Sequence, residues 1–136
     1  MQSRAHPRRA SLSLELLLIL PVLVALALAV IQFGLMESAN QRLALASAQA
    51  ARAAAQGGDL EDVERAARRV LGEGRLRHAR VHARLSDESG RPLPSGETVE
   101  VVVEIPADEA APNLLRFLGV STRGRVLSGH TVMRKE

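Results

Sequence analysis

The chain has 136 residues, the length of one small domain with an appendage. It contains no cysteine, which excludes disulfides, thiolate metal sites and cysteine nucleophiles. The net charge is +3, acidic and basic residues are interspersed, and aromatic residues make up 1% of the chain. Because a nucleic-acid surface needs a one-sided basic patch with aromatic stacking platforms, we expect no nucleic-acid partner.

The N-terminal part combines a short basic leader with a long apolar run. Residues 1–10 contain three arginines and no acid, and residues 16–31 are all apolar. Counted from Leu14 to Met36, the run would form roughly 35 Å of helix, which is enough to cross a bilayer. We therefore predict a leader at 1–10 and one transmembrane helix at 11–36.

The charges beside this helix predict its orientation. Basic residues precede it, whereas the residue that follows it is an acid, Glu37. Since basic flanks favour the cytoplasmic side, the leader is expected in the cytoplasm and residues 37–136 on the far side of the membrane.

The helix is predicted to continue through residues 37–58. Ala, Leu, Gln and Arg are good helix formers, and Gly57-Gly58 supplies a stop. A second helix is predicted at about 60–71, with Asp59 as its N-cap. Small and apolar residues at three- and four-residue steps predict a stripe on the first helix that a neighbour could approach closely: Leu43, Ala44, Ala48, Ala51 and Ala55.

In the part of the chain after residue 71, apolar and polar residues alternate with a period of two in several segments. Residues 78–85 and 98–106 predict two strands, with arginines on one face of the first and glutamates on one face of the second. These faces would pair across an antiparallel hairpin. An Ala/Pro loop, a short helix at 113–119 and a third strand within 123–136, interrupted by Gly129, would complete the domain.

These elements predict an α+β fold. A long N-terminal transmembrane helix would extend into a small extracytoplasmic domain at 59–136, which contains a short helix and a small antiparallel sheet. His78 and His82, on one strand face, would lie about 13 Å apart, too far for one metal ion. No nucleophile or nucleotide-binding motif is present. We therefore predict no enzyme, no metal, no cofactor and no small-molecule substrate.

The stretch RRASLSLELLLILP, at residues 8–21, resembles a type IV prepilin signal. A small residue, Ala10, precedes Ser11, and Glu15 is the fifth residue counted from Ser11. In that family a prepilin peptidase cuts after a small residue, usually Gly, on the cytoplasmic side of the membrane. The resemblance implies a processing site between Ala10 and Ser11, after which the apolar helix stays in the mature protein.

The apolar run itself is similar to the start of the TadE family of minor pseudopilins, from tight-adherence (Flp) pilus machines. The positions that carry the resemblance are Glu15, Leu20-Pro21, the Leu/Val run from Leu23 to Ile31, and Phe33-Gly34. The resemblance implies that Leu16, Pro21, Phe33 and Gly34 belong to the membrane helix. The last 35 or so residues, ending in TVMRKE, resemble the family's usual finish more weakly. The chain departs from the family pattern at Ala10, where Gly is usual, and at Gln32, before Phe-Gly.

This resemblance implies a pilin-like protein with a role in adhesion or secretion, held by one helix in the bacterial inner membrane. The implied partners are the membrane, a prepilin peptidase, other pilin or pseudopilin subunits and the assembly platform.

Glu15 has two interpretations at the mouth of a membrane helix. It could align subunits by pairing with the N-terminal ammonium of a neighbouring processed chain. An unpaired carboxylate costs roughly 2.5 kcal/mol or more at the bilayer centre and less near the edge. Alternatively, it interacts only with the helix dipole, by about 0.3 to 1 kcal/mol, and reaches the headgroups.

The alternative function is a secreted or single-pass anchored small ligand-binding domain. The sequence ALALA at 25–29 offers sites for an ordinary signal peptidase. However, the apolar run continues past these sites to Met36, and the apolar region of a signal peptide does not usually begin with an acid. A twin-arginine export signal matches only at Arg8-Arg9. The residue at which the mature chain begins separates these hypotheses.

Overall fold

A computed structural model describes residues 8–87 and 90–136 and shows an α+β fold, which confirms the predicted fold class. Two 3-10 turns, at Arg75–His78 and Arg116–Leu118, accompany the main elements. The helices and strands, in chain order, are α1 (Arg8–Ala55), α2 (Leu60–Leu71), β1 (Arg80–Arg84), β2 (Thr98–Pro106), α3 (Ala107–Ala110) and β3 (Val126–Arg134).

Helix α1 is one continuous element of 48 residues, roughly 72 Å long. It runs through Pro21 and ends at Ala55, and Gly57 in the turn that follows has a positive φ of 85°, which favours glycine. The amide nitrogens of Gly57 and Gly58 donate to the carbonyls of Ala54 and Ala53, which satisfies the end of the helix. The predicted continuation beyond the apolar run is confirmed.

Helix α2 begins and ends where the sequence predicts. The Asp59 side chain accepts a hydrogen bond from the Asp62 amide at 2.9 Å. On the exposed side, Arg65 donates hydrogen bonds to Glu61 and Asp62, both at 2.6 Å. These hydrogen bonds raise the pKa of Arg65, and the bond to Glu61 has the larger effect. The opposite side of α2 is buried through Val63, Ala67 and Leu71.

The three strands form an antiparallel sheet in the order β1-β2-β3. The inner face of β2 is buried, as its alternation predicts. On the outer face, the register places the arginines of β1 opposite the glutamates of β2. The close side-chain contacts of these glutamates are nevertheless to histidines. The Nε2 atom of His82 lies 3.4 Å from the Glu104 carboxylate, and that of His130 lies 2.8 Å from the Glu100 carboxylate.

The contact between β3 and α1 determines where the sheet lies. A Cβ at Gly129 would lie 2.3 Å from the Leu43 carbonyl oxygen and 2.6 Å from the Ala44 nitrogen. Two residues further on, the Thr131 hydroxyl hydrogen-bonds to the Ser47 hydroxyl at 2.8 Å. Gly129 therefore does not interrupt the strand, but allows its backbone to contact the helix directly.

The buried face of α1 differs from the predicted stripe. Ala44 is exposed and Ala48 is half-buried, so including these two residues in a buried stripe was wrong. Helix α1 contacts both α2 and the sheet, and its buried face is broader than one line of residues. It consists of Ala39, Leu43, Ala46, Ser47, Ala50, Ala51, Ala54 and Ala55.

Three local predictions were also wrong. His78 belongs to a 3-10 turn held by the buried side chain of Leu76, so it does not share a strand face with His82. The expected loop after β2 contains the helical turn α3, whose Ala107 and Ala110 are buried. The helix predicted at 113–119 is reduced to a 3-10 turn.

Replacing Gly129 with alanine should destabilise the domain by about 1 to 3 kcal/mol, because backbone atoms of α1 occupy the space of the new methyl group. Pulse proteolysis of the full chain in detergent along a urea gradient measures the change. The matched control is Gly74→Ala, since a Cβ there has nothing within 4 Å. Equal midpoints for the two variants would contradict the proposed contact.

Ala51→Glu should lower stability by several kcal/mol, since it places an unpaired carboxylate in the core where Ala51 is fully buried. Ala44→Glu, one exposed position on the same helix, should change stability by less than about 0.5 kcal/mol. The same proteolysis assay compares them. A tolerated Ala51→Glu would indicate that the outer half of α1 stands apart from the domain.

Candidate membrane and assembly site

The first half of α1 leaves its large apolar side chains uncovered. Helix α1 is, by length and composition, long and apolar enough to cross a membrane. Covering such a surface with lipid is favourable, whereas leaving it in water is costly by about 25 cal/mol per Å². The exposed side chains in this part are Leu16, Leu17, Leu18, Ile19, Leu20, Val22, Leu23, Val24, Leu26, Val30 and Ile31.

The predicted processing residues lie at the beginning of α1. Ala10 and Ser11 are within its first turn, while most of the predicted leader, residues 1–7, lies outside the described residues. Glu15 follows Ser11 by four residues and is exposed, so it is one helical turn from the place where a processed chain would begin. Its carboxylate is thus free to meet a group outside the chain.

The motif residues further along α1 lie on its uncovered surface. Pro21 is exposed within the helix, where its missing N–H removes one intrahelical hydrogen bond. Phe33 is 72% exposed, and nothing lies within 4 Å of the Cβ position of Gly34. These residues do not cluster with one another or with Glu15, but all of them are exposed.

Gln32, next to the exposed Phe33-Gly34 pair, is buried. It is 5% exposed, and its Oε1 accepts a hydrogen bond from the Leu115 amide at 3.1 Å. Leu115 belongs to the segment 113–122, which connects α3 to the turn before β3 and which we term the junction loop. The domain therefore reaches back along α1 into the stretch predicted to be transmembrane.

Sequence reasoning missed this role of Gln32, although a signal was available. Gln32 is the one amide side chain within the apolar run from Leu16 to Met36. A buried amide needs a hydrogen-bond partner, so its position predicts that another part of the chain lies against it. Which part supplies the partner depends on the tertiary fold.

The three histidines that the structure describes, His78, His82 and His130, do not form a metal site. Among the described residues, no group of three or more His, Asp or Glu side chains could hold a metal ion. His82 and His130 each contact a glutamate on the outer face of the sheet. His78 accepts a hydrogen bond from the Arg77 guanidinium.

Comparison with known proteins identifies one related family. The model of the TadE-like protein family matches residues 10–52. No curated protein and no solved structure matches the chain significantly. The matched segment begins at the predicted processing site and ends within the last turn of α1, so the family similarity coincides with the long helix.

Residues 10–52 are therefore similar to TadE-like proteins, and the helix that they form is, by length and composition, a candidate N-terminal membrane anchor. The resemblance predicted from the sequence is thereby confirmed: residues 10–52 carry the sequence of the TadE-like family.

Proposed function

We propose that the protein is a minor pseudopilin, a structural or assembly subunit of a tight-adherence (Flp) pilus or a related secretion system. The observation that carries the proposal is the TadE-like match over residues 10–52, which covers nearly the whole of α1. TadE-like proteins form a structural and assembly family, which supports a non-enzymatic role. The proposed location is the bacterial inner membrane, with the N-terminus cytoplasmic and the domain outside.

In this proposal the two halves of α1 have different tasks. Residues 16–31 are apolar on every side of the helix, which suits lipid and also suits neighbouring apolar helices. The half from Ala39 onward is the support on which α2 and the sheet pack. A subunit of this shape could move from the membrane into an assembly without refolding, because its lipid-facing half takes no part in the core of the domain.

Glu15 would set the register between neighbouring subunits. After a cut at Ser11, each chain begins with an ammonium group one helical turn from its own Glu15. A neighbour displaced along the helix axis could bring its ammonium to this carboxylate in one register only. Both groups lie at the boundary of a low-dielectric region, where an unpaired charge is more costly than in water.

The proposed processing predicts a mature chain that begins at Ser11. Coexpression of the full chain with a prepilin peptidase, followed by mass spectrometry of the membrane fraction, measures this directly. Ala10→Gly should increase the processed fraction, since the related peptidases usually cut after Gly, and Ala10→Lys should abolish it. A chain that begins near Val30, or an uncut chain in all three cases, would contradict the proposal.

The alignment role predicts that Glu15→Gln weakens subunit assembly by about tenfold, the effect of losing roughly 1.4 kcal/mol of pairing energy. Membrane insertion should be unaffected, because the change removes a charge. The measurement is the amount of protein in the sheared pilus fraction relative to the membrane fraction. Glu37→Gln, an exposed acid beyond the other end of the apolar run, is the control. Normal assembly of Glu15→Gln would favour the interaction with the helix dipole alone.

A further inference from the structure

We propose that the junction loop, residues 113–122, lies in the outer interface of the membrane and forms a second lipid contact beside α1. This inference rests on the proposed anchoring of α1. The partner is the headgroup and upper acyl region of an anionic bilayer.

The first argument is the level of the loop along α1. The contacts of β3 advance along α1 in register: Gly129 lies at Leu43, and Thr131 lies at Ser47. The strand therefore begins towards the membrane half of α1, and the loop that precedes it extends further in that direction. Its Leu115 amide meets Gln32, which is about 16 Å before Leu43 along the helix.

The second argument is the chemistry of the loop surface. Phe117 is 66% exposed, Leu118 52% and Val120 50%, so three neighbouring apolar side chains have no cover in the domain. Arg116 is exposed beside them, and the sequence contains no acid between Glu109 and Glu136. Apolar and aromatic side chains with a nearby arginine suit a membrane interface, where the long cationic side chain reaches the phosphates.

The third argument is the length of the membrane helix. A hydrocarbon core of ~30 Å spans about 20 residues of helix. If the loop stayed clear of the membrane, the outer boundary would lie near Ile31, and the core would extend back to Leu12. Glu15 would then be buried in hydrocarbon. If the boundary lies at Met36, the core ends near Leu17, Glu15 remains among the headgroups, and the junction loop enters the interface.

Both ends of the helix therefore favour the same placement. Moving the boundary to Met36 uses the full apolar run, keeps the carboxylate of Glu15 at the edge and covers the apolar side chains of the loop. Gln32 then lies just inside the boundary, where its hydrogen bond to the Leu115 amide satisfies an otherwise costly polar group.

The test uses the full chain with single cysteines, which are unique because the protein has none of its own. Leu118→Cys carries an environment-sensitive fluorophore in vesicles of phosphatidylcholine and phosphatidylglycerol at low protein density. Its emission should shift to the blue, and lipids with a shallow spin label should quench it severalfold more than aqueous iodide does. The matched control is Leu60→Cys, at the far end of the domain, where Leu60 is 51% exposed; its label should be quenched by iodide only.

Three outcomes separate the loop from the anchor. A label at Leu23→Cys reports on α1 itself and should respond to a deep spin label. If that label responds while the label at Leu118 responds only to iodide, the loop proposal is overturned and anchoring stands. If the label at Leu23 does not respond to the deep spin label, both the proposed membrane anchoring of α1 and the loop proposal that rests on it are overturned. The label at Leu118 could instead be protected from iodide only at high protein density and not be quenched by lipid. That result would overturn the proposal in favour of a contact between subunits.

Discussion

The direct contact between the backbones of β3 and α1 is the constraint on which the rest of the domain depends. It is possible because Gly129 has no side chain and because the buried face of α1 is made mostly of alanine. Because β3 lies so close to α1, the neighbouring strand β2 can bury its apolar face against the same helix. The core can then be closed with the aliphatic residues Val, Leu, Ile and Ala, although the chain outside the apolar run has only one aromatic residue, Phe117.

The same contact fixes how the domain lies relative to the apolar half of α1. Since β3 begins towards that half, both α3 and the junction loop lie at the end of the domain nearest to it. The hydrogen bond between Gln32 and Leu115 then joins the domain to the helix at the edge of the lipid-facing surface. Any movement of α1 along its axis in a membrane or an assembly would therefore carry the domain with it.

This arrangement is consistent with a family similarity that is confined to residues 10–52. The helix supplies the features that an assembly of helices would use: a possible new N-terminus, a carboxylate one turn away and an uncovered apolar surface. The domain presents a different kind of surface, with paired His and Glu side chains on the outer face of its sheet. In the proposed minor subunit, the helix would provide the anchoring and the domain would provide the exterior surface.

The sequence by itself determined the elements with strong local patterns. The α+β class, the bounds of α2 and β2, the Asp59 cap and the end of α1 just before Gly57 all follow from periodicity and capping, which act between residues close in the chain. The residues of the membrane helix could likewise be selected from composition and family resemblance. Only the tertiary structure decided which alanines are buried, because that depends on where the sheet and α2 cross α1. It also assigned Gly129 to a close contact and Gln32 to a partner 83 residues away, since the local pattern indicates at most that a buried amide needs a partner and not which distant segment approaches it.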